Sequence, residues 1–421
     1  MRVWVIQTGE LLPHVHPEAR PMRAANVAFA LRAAGHEVVL WSSDFIHQLG
    51  SHTYGENTVL RPEPGLELRL VRSPGYSRNI GLGRIRDHTQ FSQRLLRLMR
   101  REPQPDVAFV GFPPMEAAAV TTNLLARHGV PTLLDVKDQW PEVFVRPIPE
   151  LLRPIGRVAL WPYSKLAQHT MQTATGISSI SPEFLDWSLS VAHRARRPAD
   201  LVLPLTSRPT EISPTQVRAA EQWWDSLGVR NDGQFRAVYV GSINSGLHVE
   251  DIIAAARATT VQFVICGDGP RREYLRDQVA DLPNVVVPGW VDQVQGEVLY
   301  RRSSVSLAPY IDEAGFGIGI PNKMYDSLRH GLPIITSIRG AVARLVTTHN
   351  VGIYYGEATE GALGIELMAL ADDPKRLASM AQAAQDLYAQ QYSFDRVYGG
   401  LVDHLEAMVL GSLAKKRTED V

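Results

Sequence analysis

Short apolar runs bounded by glycine, proline and small polar residues recur along this chain and alternate with longer segments of helical periodicity. Arg2–Gln7 is the first such strand and runs into the turn Thr8-Gly9-Glu10. A loop rich in proline and histidine follows to Arg20, then a helix predicted over Pro21–Ala34, a cap at Gly35 and a strand over Glu37–Trp41. The pattern continues with strands at Leu66–Val71, Asp106–Gly111, Thr132–Leu134, Ala174–Ser181 and Leu201–Leu203. Helices are predicted over Arg84–Arg100 and Met115–His128, the first entered from a loop carrying Arg78, Arg84 and Arg86. The proline- and serine-rich stretch Arg194–Pro214 reads as a linker.

A second alternation then begins. Strands are read at Phe235–Val240, Val261–Cys266, Asn284–Val287, Ser304–Ala308, Leu332–Thr336 and Val351–Tyr355, with helices at Leu247–Ala256, up to about Ala280 and from Pro321 to about His330. After Glu360 the pattern is helical, is broken at Tyr392-Ser393-Phe394, and resumes to Leu410. Strands alternating with helices imply parallel sheets, so the fold class is α/β with two Rossmann-like domains. The expected boundaries are 1–200 and 213–392, with 393–412 a closing helix and 413–421 a charged, disordered tail.

In such sheets ligands bind at the carboxyl ends of strands. Gly9 ends the first strand, where it allows either a tight turn or close approach of a ligand. Asp138, Gln139 and Glu142 follow the strand at Thr132–Leu134, where they either line a cleft or cap the next helix. In the second half, Gly241-Ser242-Ile243-Asn244 and Gly267-Asp268-Gly269-Pro270-Arg271 leave successive strands. The stretch Gly315–Pro333 (GFGIGIPNKMYDSLRHGLP) carries three alternating glycines into a helix stopped at Gly331. Backbone N–H groups at that helix start attract phosphate, and Lys323 with Asp326 projects from nearly one face. A cation for diphosphate beside a carboxylate for ribose suits a nucleotide sugar; a plain capped surface loop is the alternative. The G-x-G-x-x-G fingerprint is absent from the first turn, which disfavours a dinucleotide there.

Composition narrows the picture. The 421 residues are 45% apolar and 21% charged with formal net charge −1, so no broad basic field argues for nucleic acid. One cysteine, Cys266, excludes an internal disulfide and a multi-cysteine metal site. Charged residues interrupt every long apolar run and the N-terminus lacks a signal-peptide core, so a cytoplasmic protein is expected. Leu151–His169 mixes Leu, Ile, Val, Trp and Tyr with Arg and Lys; it reads either as a helix packed on its own domain or as a peripheral membrane contact.

The motifs DVKDQWPE (Asp135–Glu142), YVGSINSGLHVEDIIAAA, FVICGDGPRREYL, VVVPGWVD and IPNKMYDSLRHGLPII occur in this order. Together they resemble those of retaining glycosyltransferases of the GT-B fold, family 4, over essentially the whole chain. The likeness is nearest to bacterial polysaccharide-cluster members similar to fucosamine transferases. The resemblance implies two Rossmann-like domains facing across a cleft, with the last helix crossing back to the first. It implies a nucleoside diphosphate sugar donor, UDP favoured over GDP, and a glycan, lipid-linked or small-molecule acceptor, without metal or other cofactor. Gly241, Ser242 and Asn244 would approach the diphosphate, Gly267 and Gly269 would lie under the nucleotide, and Arg271 would sit near ribose or phosphate. Trp290 and Val291 would flank the base, Glu313, Phe316, Gly317 and Ile318 would meet the donor, Asp326 would grip the ribose and Lys323 the leaving diphosphate. Gly9, Arg20, Arg23, Gln139 and Glu142 would serve the acceptor, oriented by Asp138.

Two departures stand out. Ile318 occupies the position of a glutamate that touches the donor sugar in many members, which Glu313 replaces only if the loop is longer. No basic residue follows Gly241, where many members carry an Arg and a Lys. A catalytically weak, partner-dependent protein and a GT-B sugar-nucleotide epimerase therefore stay open beside the transferase.

Overall fold

A computed structural model describes residues 1–17, 19–77, 81–146, 148–209, 211–311, 317–356 and 361–419, the side chains of 415–419 excepted. The chain divides into unit 1, Met1–Arg208 with Phe394–Val421, and unit 2, Pro209–Ser393.

Unit 1 is built on strands β1 (Arg2–Ile6), β2 (Glu37–Ser43), β3 (Phe45–Ile46), β4 (Ser51–His52), β5 (Thr58–Glu63), β6 (Leu66–Val71), β7 (Val107–Phe112), β8 (Thr132–Val136), β9 (Gly176–Ser179) and β10 (Leu201–Val202). All but β3 and β4 form one sheet in the order β10-β9-β8-β7-β1-β2-β6-β5. It is parallel except for the edge strand β5, which pairs antiparallel with β6. Runs such as VAFVGF in β7 are buried at every position, as a sheet covered on both faces requires. The covering helices are α1 (Arg23–Ala33), α2 (Leu82–Met99), α3 (Met115–Arg127), α4 (Arg153–Ala159), α5 (Trp161–Thr173) and α6 (Pro182–Ala192). The C-terminal helix Phe394–Glu419 joins this unit, with Val397, Tyr398, Leu401 and Leu405 buried among α1 and sheet residues.

Unit 2 has six parallel strands: β11 (Arg236–Val240), β12 (Gln262–Cys266), β13 (Val285–Gly289), β14 (Val305–Ala308), β15 (Ile334–Thr336) and β16 (Gly352–Tyr354). Their order, β13-β12-β11-β14-β15-β16, reverses direction between β11 and β14, which creates a crevice at the carboxyl edge. Helices α7 (Pro214–Ser226), α8 (Val249–Ala258), α9 (Arg272–Gln278), α10 (Gln293–Arg301), α11 (Asn322–Arg329), α12 (Ala341–His349), α13 (Ala362–Ala371) and α14 (Pro374–Leu387) complete it. In unit 1 the same reversal lies between β1 and β7.

Several elements depart from the pattern reading. The stretch expected to be a disordered tail continues the last helix to Glu419. Helix α7 begins in the expected linker, closed by a reciprocal Ser213–Gln216 capping box with Pro214 as its first residue. Helices α6, α10 and α12 fall in stretches given no element, although Asp292 and Gln295 form another capping box. Leu151–His169 is a 3₁₀ turn at Glu150–Leu152 followed by α4 and α5.

Strand β8 runs two residues beyond Leu134, which puts Asp135 inside the sheet with no exposure. Its Oδ2 lies 3.1 Å from Arg23 Nε, and Ser178 donates to its Oδ1 at 2.9 Å. Arg23 also donates to the carbonyls of Leu203 and Pro204 and to the Tyr398 hydroxyl. One guanidinium thus ties together α1, β8, the segment after β10 and the C-terminal helix. A buried pair that loses one member leaves an uncompensated charge. Arg23→Met should therefore cost unit 1 about 3–5 kcal/mol in urea unfolding. Adding Asp135→Leu should recover much of that loss; no recovery would show that the pair is not what fixes these elements.

Candidate functional site

The reversal point of unit 2 gathers the residues singled out from sequence. β11 and β12 are each followed by a glycine because their loops press backbone against backbone: a Cβ on Gly267 would overlap the Gly241 carbonyl, and one on Gly269 would crowd that of Ile243. The loops are laced by Gly241 N–H to the Cys266 carbonyl at 3.0 Å, Ile243 N–H to that of Asp268 at 2.9 Å, and Gly267 N–H to that of Gly289 at 2.7 Å. Asn244 Oδ1 accepts from the Gly246 amide at 2.9 Å, and the Ser242 carbonyl accepts from the Tyr239 hydroxyl at 2.7 Å.

Lys323 enters this crevice from the first turn of α11. Its Nζ lies 4.0 Å from the centroid of the Tyr239 ring and 5.1 Å from that of Tyr310, and a side chain on Gly241 would collide with it. Among the described residues it has no carboxylate partner. Burial favours the neutral amine and pushes its pKa down to about 7. The aromatic faces return part of the lost hydration. Tyr239 and Tyr310 were not anticipated; an aromatic residue in a buried strand gives no sequence sign that its ring will carry a cation.

Asp326 lies one turn beyond Lys323 and is partly buried, its carbonyl accepting from the His330 N–H. Arg271 is turned to α8, where Glu250 binds its guanidinium from both carboxylate oxygens. Val291 is buried, whereas Trp290 is 73% exposed after β13. The Gly317 carbonyl accepts from Ala341 N–H at 2.6 Å, which ties this segment to the start of α12, and Ile318 is partly buried. Glu313 and Phe316 lie outside the described residues.

In unit 1 the reversal between β1 and β7 opens into a cavity of about 530 Å³. Gly9 and Asp138 both line it, with Lys137, His47, Tyr76, Arg84, His88 and Trp140. Burial raises the Asp138 carboxyl above its ordinary range, against the opposing pull of Lys137 and Arg84. Burial, with Arg84 and His88 nearby, lowers the His47 imidazole. Arg84 stacks 4.5 Å from the Trp140 ring and 5.6 Å from that of Tyr76. Glu10 accepts from Lys137 Nζ at 2.8 Å and from Ala24 N–H at 2.8 Å, fixing the lysine against the first turn of α1. The other acceptor candidates are not brought here. Arg23 is interior, Gln139 faces Arg146, Glu142 is exposed on the 3₁₀ turn Glu142–Phe144, and Arg20 lies partly buried before α1. Among the described residues no three His, Cys, Asp or Glu side chains are grouped to hold a metal.

Residues 22–206 match the family model "Glycosyl transferase 4-like domain", and residues 234–383 match "Glycosyl transferases group 1". Solved structures share the architecture. Sucrose-phosphate synthase from Thermosynechococcus elongatus aligns with a TM-score of 0.66 at 14% identity over 100% of both chains. Anabaena HepE, in complex with UDP and glucose, aligns with 0.63 at 13% identity over 97% of this chain and 100% of that one. The lipopolysaccharide glycosyltransferase WaaG aligns with 0.58 at 15% identity over 96% and 99%. No curated protein sequence matches. With both units matched by glycosyltransferase models and this architecture, the chain belongs to the GT-B glycosyltransferases.

The lowered Lys323 pKa has a signed consequence for stability. The folded state holds fewer protons than the unfolded one between about 7 and the ordinary 10.5, so this group's contribution to stability rises with pH across that window. Below 7 its penalty is complete. Lys323→Met should accordingly stabilise the protein more at pH 6 than at pH 10 in thermal unfolding; an equal effect at both would place the ammonium in water.

Proposed function

We propose that the chain transfers a sugar, with its anomeric configuration retained and without a metal, from a nucleoside diphosphate sugar to an acceptor hydroxyl. The observation that carries this reading is the desolvated Lys323 ammonium over Tyr239 and Tyr310, beside the glycine backbone of Gly241 and at the start of α11. A cation without a carboxylate partner among the described residues, next to the N–H groups of a helix start, is pre-organised for the charge that grows on a leaving diphosphate. Lys323 is placed as that electrostatic partner, and Asp326 as the ribose ligand. Gly241, Ser242, Asn244, Gly267 and Gly269 form the floor under the nucleotide, with Gly317 and Ile318 toward the sugar. Val291 flanks the base; Trp290 is exposed enough to fold over it.

The UDP bound to HepE favours a uridine nucleotide over a guanosine one. In the reaction the C1–O bond to the diphosphate breaks and the bond from the acceptor oxygen to C1 forms on the same face. The acceptor proton passes to the departing phosphate oxygen, so no protein base is required. Asp138, with its raised pKa, orients the acceptor by accepting or donating a hydrogen bond within the unit 1 cavity. We place this activity in the cytoplasm, where nucleotide sugars are made.

One observation favours a weaker catalyst. Arg271 is held by Glu250, and the loop after β11 supplies no other cation, so Lys323 bears the diphosphate charge with little help.

A panel of nucleotides and nucleotide sugars tests the reading by thermal shift, since a ligand that binds only the folded state raises the melting temperature. UDP or a UDP-sugar should stabilise the protein, and Lys323→Ala and Asp326→Ala should each abolish the shift. Where transfer is measured, Lys323→Ala should lower the rate by about 10²–10³, EDTA should leave it unchanged, and NMR should show the donor's anomeric configuration in the product. No shift with any nucleotide would overturn the donor assignment, and an inverted product would overturn the retaining one.

A further inference from the structure

Unit 2 holds a cavity of about 570 Å³ that no residue assigned to the donor lines. Its walls come from the start of α7 and the segment before it, from α10 and from the last residue of α11. Lys323 stands in the first turn of α11, whereas Arg329 ends that helix. Six residues separate them, about 9 Å along the axis. The cavity is therefore distinct from the glycine-floored crevice at the carboxyl edge of the sheet.

Three arginines from three helices line it: Arg218 of α7, Arg301 of α10 and Arg329 of α11. Among the described lining residues Glu297 of α10 is the one carboxylate. Glu297 is buried and both its oxygens are taken, since Arg329 donates to Oε1 and His330 Nε2 lies 2.8 Å from Oε2. His330 is fixed in turn, its Nδ1 2.8 Å from the Asp326 carbonyl and its ring stacked on Tyr300 with centroids 5.0 Å apart. Glu297 and Arg301 stand four residues apart on one helix face, where an ion pair ordinarily forms. Glu297 is turned to Arg329 and His330 instead, so Arg301 is exposed with no acidic partner among the described residues. Arg218 has none either; its contact there is the Thr215 hydroxyl at 3.4 Å. Arg329 gives the clearest sign. Its side chain is 23% exposed, yet among the described residues only one of the five N–H donors of its guanidinium is used, on Glu297. A guanidinium anchored at one corner, with its other donors facing a cavity, is poised for an oxyanion.

Charge and shape narrow the ligand. Three guanidiniums set against one carboxylate leave two positive charges on the lining, with His330 neutral. A phosphate monoester carries close to two negative charges above neutral pH and answers both; a single carboxylate answers one. The volume is that of a small-molecule site and far exceeds a bare phosphate. The remaining lining is apolar: Pro209, Ile212, Pro214 and Val217. Its two prolines offer no N–H donor, so this side of the cavity suits carbon and not further oxyanion contacts.

We propose that this cavity is a separate ligand site of unit 2, for a small organic phosphate monoester. Arg218, Arg301 and Arg329 hold the phosphoryl oxygens, and the proline, isoleucine and valine side chains pack against the organic body. The site does not rest on the glycosyl-transfer reading.

The test is calorimetric titration of the full chain at pH 8 and low ionic strength. The probe is phenyl phosphate, with phenol and inorganic phosphate as its two parts. Phenyl phosphate should bind, inorganic phosphate should bind about tenfold more weakly, and phenol should not bind. The double variant Arg218→Gln, Arg301→Gln alters two exposed positions and should weaken phenyl phosphate about tenfold or more while the melting temperature stays unchanged. Arg257→Gln, on an exposed part of α8 outside the cavity, should leave phenyl phosphate binding unchanged, and so should Lys323→Ala. Equal binding by the double variant, or none by the natural protein, overturns the site. An equal loss in Arg257→Gln would show diffuse surface charge and overturn it too, and loss in Lys323→Ala would move the phosphate to the donor crevice with the same consequence. Inorganic phosphate that binds as tightly as phenyl phosphate overturns the part given to the apolar lining. A UDP thermal shift without phenyl phosphate binding removes this inference alone, whereas phenyl phosphate binding without any nucleotide response removes the transfer reading and leaves the site.

Discussion

The Lys323 ammonium lies over the rings of Tyr239 and Tyr310, and burial strips away much of the hydration that keeps a lysine charged. Among the described residues no carboxylate answers that charge, so the arrangement is open to an added anion. The rest of unit 2 serves it. The order of six parallel strands turns at β11 and β14, so the tyrosine ending β11 and the one following β14 stand side by side. Glycines at the ends of β11 and β12 let two loops touch backbone to backbone beneath the lysine. Any side chain at Gly241 would push the ammonium out.

Unit 1 repeats the topology and solves a different problem. Its reversal point opens between β1 and β7 onto histidine, tyrosine, tryptophan and arginine instead of glycine backbone. Here the fixed charge, Arg23 with Asp135, lies in the interior and is spent on holding elements together. The same residue types thus do opposite work in the two units. The buried pair is compensated and structural, while the partly buried lysine has no carboxylate partner among the described residues. That contrast, more than any single motif, separates scaffold from site.

The sequence made the parallel strands and the glycine loops legible because these rest on local rules: apolar runs of five or six residues, and glycine where backbone must approach backbone. The placing of Lys323 and Asp326 on a helix after a glycine-rich loop was legible for the same reason. Arg23 was given to the acceptor site, whereas it lies in the interior, because its partner, Asp135, is far away in the chain, and nothing local shows that β8 continues far enough to bury that carboxylate. The aromatic wall around Asp138 was hidden likewise: Tyr76, Arg84 and Trp140 come from separate segments that only the sheet order brings together. Two helices, α7 and α10, were announced by capping boxes that the apolar pattern overshadowed.

Proton uptake on nucleotide binding addresses the central point most directly. At pH 8 a lysine with a pKa of about 7 is mostly neutral, and a diphosphate seated against it should draw a proton from solution. Calorimetry of UDP binding in buffers of different ionisation enthalpy should then report uptake of about one proton per nucleotide, and Lys323→Met should remove it. Binding of UDP with no proton uptake at pH 8 would mean that the ammonium is already charged and hydrated or lies away from the phosphates, and would contradict the account.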